Sequence, residues 1–441
     1  MSSVFFNPFQ SRTAFWLLAF LLIALPLRSD AAEEYSFDLE EFEKKTFDWG
    51  GYAELKWDHL ELDQDAAFYR LNFYRDPRSS LDRFTSILQL DGNLDGGAVT
   101  FNWRLQAMAQ QDQLAWADQL DVFEAYASYK PRPEVTVDLG KKAFKWGKGY
   151  AWNPVGFIAR PKDPNNPEEA LEGYIAGGLD LIKSFPGALQ TIALTAVVLP
   201  VSDDLNEDFG VADNVNLAAK LYLLYRDIDI DLLWFTGNSR STRYGADFST
   251  NLATNFEIHG EVAHTPAQKS KVFTPSGVLS VREEADTSYL LGIRYLTEND
   301  LTAIVEFYHN DDGYSEAEMD LFFQLVADAN SQYLATTTDA LYQQAQLVSQ
   351  SGYGKPQSGR NYLYARLTQK EPFDILYLTP GVTAIINLDD NSYSISPEAV
   401  YSGFKNWELR LRGSVINGGY FTENGEKQNS SKLELRVRYF F

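Results

Sequence analysis

The sequence predicts an all-β fold, an antiparallel transmembrane β-barrel of about eighteen strands, with sixteen the next even number. Three observations predict it. Apolar and polar residues alternate in one segment after another from residue 47 to the end of the chain. Beyond the first thirty residues no segment is long and apolar enough to cross a bilayer as a helix, which takes ~20 residues. The final stretch, LELRVRYFF, divides cleanly: Leu433, Leu435, Val437, Tyr439 and Phe441 share one face, while Lys432, Glu434, Arg436 and Arg438 share the other.

A strand with charges at that density needs water on its charged side, and a free edge beside an apolar face invites aggregation. Closing the sheet removes the edge. With the apolar face toward lipid and the charged face toward a wet lumen, every residue has a suitable solvent. The pattern resembles the C-terminal strand of bacterial outer-membrane β-barrels. The resemblance implies that Leu433, Leu435, Val437, Tyr439 and Phe441 form the signal read by the barrel assembly machinery. It also implies that lipids and lipopolysaccharide surround the protein.

The start of the chain suits export. Arg12 precedes the apolar run TAFWLLAFLLIALPL, and Ser29 and Ala31 satisfy the small-residue rule of a signal-peptidase site, so residues 1–31 are expected to be a signal peptide. Residues 32–46 then form an acidic periplasmic segment, in which Asp38 and Glu41 have capping-box spacing, and residues 47–441 form the barrel. A net charge of −23 argues against nucleic acid as a partner. The absence of cysteine excludes disulfides and thiolate metal sites.

Along the barrel, Phe101, Trp103, Leu105 and Ala107 oppose Asn102, Arg104 and Gln106. Tyr289, Leu291, Ile293 and Tyr295 oppose Gly292 and Arg294, and Leu301, Ala303, Val305 and Phe307 oppose Thr302, Glu306 and Tyr308. This predicts a polar interior. Turn chemistry at 92–97, 130–134, 184–187, 297–300 and 403–406 marks short periplasmic connections. The longer segments 145–171, 200–214, 265–285, 312–359 and 418–430 are expected as surface loops. Within 315–350, Ser315 and Glu318 make a capping box, and Phe322, Val326 and Ala329 share one face, which predicts a helical insertion.

Two constellations are candidates for function. In GKKAFKWGKGYAWNPVGFIARPKDPNNP, residues 140–167, Asp138, Gly140 and Lys142 face inward, and Phe144 and Trp146 continue that parity if strand geometry persists. The stretch resembles the Gly-Lys/Arg…Trp-Gly segment of porin-like barrels, which implies a loop that folds inward. Lys142, Phe144, Trp146, Lys148, Arg160 and Lys162 are then the constriction. The alternative is an aromatic girdle at the outer lipid interface. The second constellation is Arg410, Arg412, Arg436 and Arg438, four arginines at similar depth on the last hairpin. They form either a positive stripe or a network neutralised by Glu408, Glu434 and an acidic loop.

Four histidines with no nucleophile elbow or zinc-helix motif argue against an enzyme. No cofactor or metal is expected. The sequence therefore reads as an outer-membrane, porin-like channel for passive diffusion of small solutes, anionic or amphipathic ones included. The alternative is a plugged barrel with a surface-binding or polysaccharide export or assembly role. Mass spectrometry of protein purified from outer membranes is expected to find a chain starting at Ala32, and an intact Met1 terminus would refute the processing site.

Overall fold

The computed structural model describes residues 46–441, so the expected signal peptide and most of the acidic segment lie outside the described residues. Eighteen antiparallel strands close into one barrel: β1 (Phe47–Leu62), β2 (Ser80–Asp95), β3 (Val99–Asp112), β4 (Trp116–Arg132), β5 (Val135–Lys142), β6 (Tyr174–Ser184), β7 (Leu189–Val201), β8 (Asn214–Tyr225), β9 (Ile228–Thr236), β10 (Arg243–Ala253), β11 (Phe256–Phe273), β12 (Leu279–Leu296), β13 (Leu301–His309), β14 (Asn361–Gln369), β15 (Leu378–Asn387), β16 (Tyr393–Tyr401), β17 (Trp407–Asn417) and β18 (Asn429–Phe440). Each strand pairs with its neighbour in sequence, and β18 closes on β1 from Tyr52↔Phe440 to Leu62↔Asn429. Residues in the last strand follow the expected division. Leu435 and Val437 are 44% and 38% exposed toward lipid, while Glu434 and Arg436, between and beside them, are 3% and 8% exposed in the lumen. Phe441 exchanges backbone hydrogen bonds with Gly51 and its ring meets Trp49, so the terminal aromatic completes the seam.

The five turn signals all fall at the periplasmic end, between β2 and β3, β4 and β5, β6 and β7, β12 and β13, and β16 and β17. The turns between β8 and β9 and between β10 and β11 carry no glycine or proline cue. The turn between β8 and β9 uses Arg226 and Asp227, both at positive φ.

Three sequence expectations need correction. Residues 265–285 are mostly not loop, because β11 and β12 remain paired out to Phe273↔Leu279, a hairpin that rises well above its neighbours. A helix that the sequence pattern does not predict, α1 (Ala67–Phe73), follows β1; at seven residues it is too short to show a helical period. The lumen is also not uniformly polar: Val197, Leu199, Val201, Leu233 and Phe235 point inward and are buried.

The helical insertion forms as expected. It comprises α2 (Glu316–Thr336) and α3 (Ala340–Val348), with Ser315 and Glu318 bonded reciprocally at the N-terminus. Phe322, Val326 and Ala329 are fully buried in a cluster with Ala67 and Leu71 of α1 and with Phe273 and Tyr353, and Phe421 packs against it. The hairpins that meet here, β1–β2 and β11–β12, stand on opposite sides of the barrel, so the cluster reaches across the outer mouth.

Deleting Phe441 removes both seam hydrogen bonds and is expected to reduce the folded, heat-modifiable protein in membranes severalfold. Lys405→Ala, in an exposed periplasmic turn, serves as the control. Equal assembly of the Phe441 deletion and the parent would show that the seam does not need this residue.

Candidate functional site

The lumen holds two sites that face each other: the loop after β5 on one wall and an arginine cluster on the other. The loop, residues 143–173, turns inward, and Phe144 and Trp146 are buried within the barrel and not in a lipid-facing girdle. Val155, Phe157 and Ile158 of the loop cover the apolar inner faces of β7, β8, β9 and β11. Trp152 stacks on Tyr308 and meets Tyr362 and Tyr364 of the neighbouring wall.

What fixes the loop is its backbone. Glu261 of β11 accepts hydrogen bonds from the N–H groups of Lys148 and Gly149 at 2.5 Å each and of Val155 at 3.3 Å. Glu306 of β13 accepts from Tyr150 and from Ala151 at 2.8 Å, and it also contacts His259 Nε2 at 2.9 Å. The WGKG stretch permits this close approach. Gly147 sits at φ +99°, and a Cβ there would lie 2.7 Å from Glu261 Oε1, while one on Gly149 would lie 2.1 Å from the Trp152 carbonyl oxygen.

Charged residues of the loop are committed to structure. Lys142 pairs with Asp138, and Lys148 Nζ lies 3.3 Å from Asp231. Arg160 pairs with Asp208 and lies 3.0 Å from Glu172. Lys162 Nζ donates to the Gly149 carbonyl at 2.6 Å and the Tyr150 carbonyl at 3.2 Å, and burial holds its pKa below the usual lysine range. Five of these six candidates thus belong to one inward loop and Lys142 ends the strand before it, but the loop's basic side chains anchor it and do not hang free near the axis.

Across the lumen the four arginines sit together, as their depth suggested, and are joined by Arg366 of β14. Glu398 of β16 receives three of the five: Arg366 at 2.9 Å, Arg410 at 2.6 Å and Arg412 at 2.7 Å. Arg438 contacts Glu54 at 2.6 Å, and Arg436 contacts Glu408 at 3.0 Å. Five guanidinium groups therefore share three wall carboxylates, so the cluster is both paired and in positive excess. Glu434, expected as a partner, instead holds Lys432 at 2.9 Å. Glu54 was not singled out in the sequence because β1 meets the last hairpin only through ring closure, whereas Glu398 lies on the strand just before it and pairs directly with Arg412.

Both walls line a cavity of about 960 Å³ that includes Tyr52, Thr302, Thr379 and Glu408 near the periplasmic strand ends. The loop supplies its roof through residues 165–170. Asn166 accepts from Arg412 at 2.8 Å, and Glu169 lies 3.7 Å from Arg436. Burial raises the Glu169 pKa, and Arg436 partly opposes the shift.

Comparison with known proteins fits this architecture. No family model and no curated protein sequence matches the chain. Among solved structures, Pseudomonas aeruginosa OccK8 (OprE) superposes with TM-score 0.52 at 10% identity, over 89% of this chain and 98% of that one. Wzi of Escherichia coli, described as a carbohydrate-binding β-barrel involved in group 1 capsule assembly, gives TM-score 0.52 at 8% identity, over 88% and 84%. The chain has the fold of porin-type outer-membrane β-barrels. Its lipid-facing belt and closed ladder place it in the outer membrane with the short turns toward the periplasm.

Replacing Glu306 with Ala leaves the Tyr150 and Ala151 N–H groups and His259 without their acceptor. It is expected to destabilise the folded barrel by about 2–4 kcal/mol, read as a lower urea midpoint of the heat-modifiable form. An unchanged midpoint would mean that the loop is not held through this carboxylate.

Proposed function

We propose that this barrel is an outer-membrane channel for small hydrophilic solutes and that it favours anions. The observation that carries this reading is the cavity reaching the periplasmic strand ends, with five arginines sharing three carboxylates on one wall. Excess positive charge in a low-dielectric cleft raises the local anion concentration, even in a protein whose total charge is negative. The loop over residues 143–173 narrows the path above this cavity.

A second reading is favoured by one feature, the helical cluster that reaches across the outer mouth. In that reading the barrel is plugged and acts at the cell surface, in binding or in polysaccharide export or assembly, the class of role described for Wzi. Ion conductance of the purified protein in a planar bilayer separates the two. The channel reading expects steady conductance from the full chain. The plugged reading expects none until residues 316–350 are removed.

Neutralising Arg410 and Arg436 together as glutamines is expected to move the reversal potential in a salt gradient toward cation preference. The shift should be largest in dilute salt, because the Debye length falls from ~10 Å at 0.1 M to ~3 Å at 1 M. A reversal potential indistinguishable from that of the parent at low salt would remove the arginine cluster as the selecting element.

A further inference from the structure

The inward loop covers more than an apolar wall. Beneath it, four carboxylates on β9, β10, β11 and β13 point into the lumen: Asp231, Asp247, Glu261 and Glu306, with exposures of 1%, 3%, 4% and 0%. They occupy the stretch of wall from β9 to β13, which adjoins β14 with Arg366, while the other arginines of the cluster lie on β17 and β18.

The compensation of these carboxylates is supplied mainly by the loop. Lys148 Nζ lies 3.3 Å from Asp231 and 4.0 Å from Asp247. Five loop N–H groups are absorbed by Glu261 and Glu306. From the wall itself come only Lys220, 3.8 Å from Asp231, and His259, which lies 2.9 Å from Glu306 and 3.6 Å from Glu257. Neither oxygen of Asp247 receives a hydrogen bond, although both are buried. A buried carboxylate left so poorly satisfied is costly on its own, and here the cost is offset by a lysine carried in from another segment.

We propose that the loop is a selectivity mask: seated, it hides an acidic wall and leaves the arginine cluster to set the sign of the pore; displaced, it exposes that wall and turns the pore toward cations. This rests on the channel reading and adds to it the element that determines specificity. With the loop away, Lys148, Lys162 and the five N–H donors leave together, and four carboxylates face the lumen against Lys220 and His259. Field lines focused by the barrel wall then favour cations on that side.

The test removes residues 146–166, which leaves a short connection between paired positions Lys142 and Tyr174. The reversal potential in a potassium chloride gradient is measured for this deletion and for the deletion carrying Asp231→Asn, Asp247→Asn, Glu261→Gln and Glu306→Gln. The deletion is expected to be cation-selective, and the four neutral residues are expected to restore anion preference. A deletion that keeps the anion preference of the parent overturns the proposal. A silent parent with a cation-selective deletion ends the channel reading of the intact protein but supports the mask.

A second measurement does not depend on the deletion conducting. The chain has no native cysteine, so Asp247→Cys gives a single thiol. In the full-length barrel a small cationic methanethiosulfonate is expected to leave it unmodified over a time that fully labels Glu408→Cys, while in the folded deletion it reacts. Labelling of position 247 in the full-length chain at the rate of position 408 would show that the wall is not masked.

Discussion

Every other feature of this molecule depends on the closure of β18 against β1. In the hydrocarbon core an unpaired backbone N–H or C=O has no water to turn to and costs several kcal/mol, so a sheet with two open edges is not an option. The pairing from Tyr52↔Phe440 to Leu62↔Asn429 satisfies those groups. It also fixes register. A slip of one residue would rotate Arg436 and Glu434 into lipid, where a basic residue near the midplane costs ~2–4 kcal/mol. Closure therefore decides not only that a barrel forms but also which side chains share its lumen.

That decision creates an electrostatic problem, because a lumen collects charges from strands far apart in sequence. Glu398 must satisfy three arginines, and Asp231 and Asp247 stand side by side on neighbouring strands. The acidic side is resolved by a loop that binds through its main chain. Backbone donors bring no rotamer entropy to lose, and two glycines let them reach Glu261. The arrangement is consequently stiffer than one made from long basic side chains alone.

Much of this was legible in the sequence. Alternation gave strand number and the sidedness of the last strand. Capping-box spacing gave α2, since Ser315 and Glu318 act within one turn. The inward course of the loop was open between constriction and girdle because Phe144 and Trp146 suit either solvent, and only the wall they meet distinguishes them. Glu261 and Glu306 were unreadable as anchors for a similar reason. A lumen glutamate on an alternating strand looks the same whether it meets water or two or three amide groups of a segment more than a hundred residues away. The apolar stretch Val197, Leu199 and Val201 was likewise hidden: on a strand apolar on both faces, parity carries no information about which side meets lipid and which meets a loop.

The two coverings of the lumen differ in what holds them. Lipid gives no hydrophobic driving force between barrel parts, but the helical cluster lies outside the bilayer, where water supplies one. Phe322, Phe323, Val326, Tyr342 and Tyr353 are essentially fully buried there, which at ~1.5–3 kcal/mol each amounts to on the order of 10 kcal/mol. The loop after β5 shares an apolar footing, but its position also depends on two carboxylates and a few ion pairs, all of which respond to charge. The cap is thus held by apolar burial, which is indifferent to charge, and the loop by carboxylates and ion pairs, which are not.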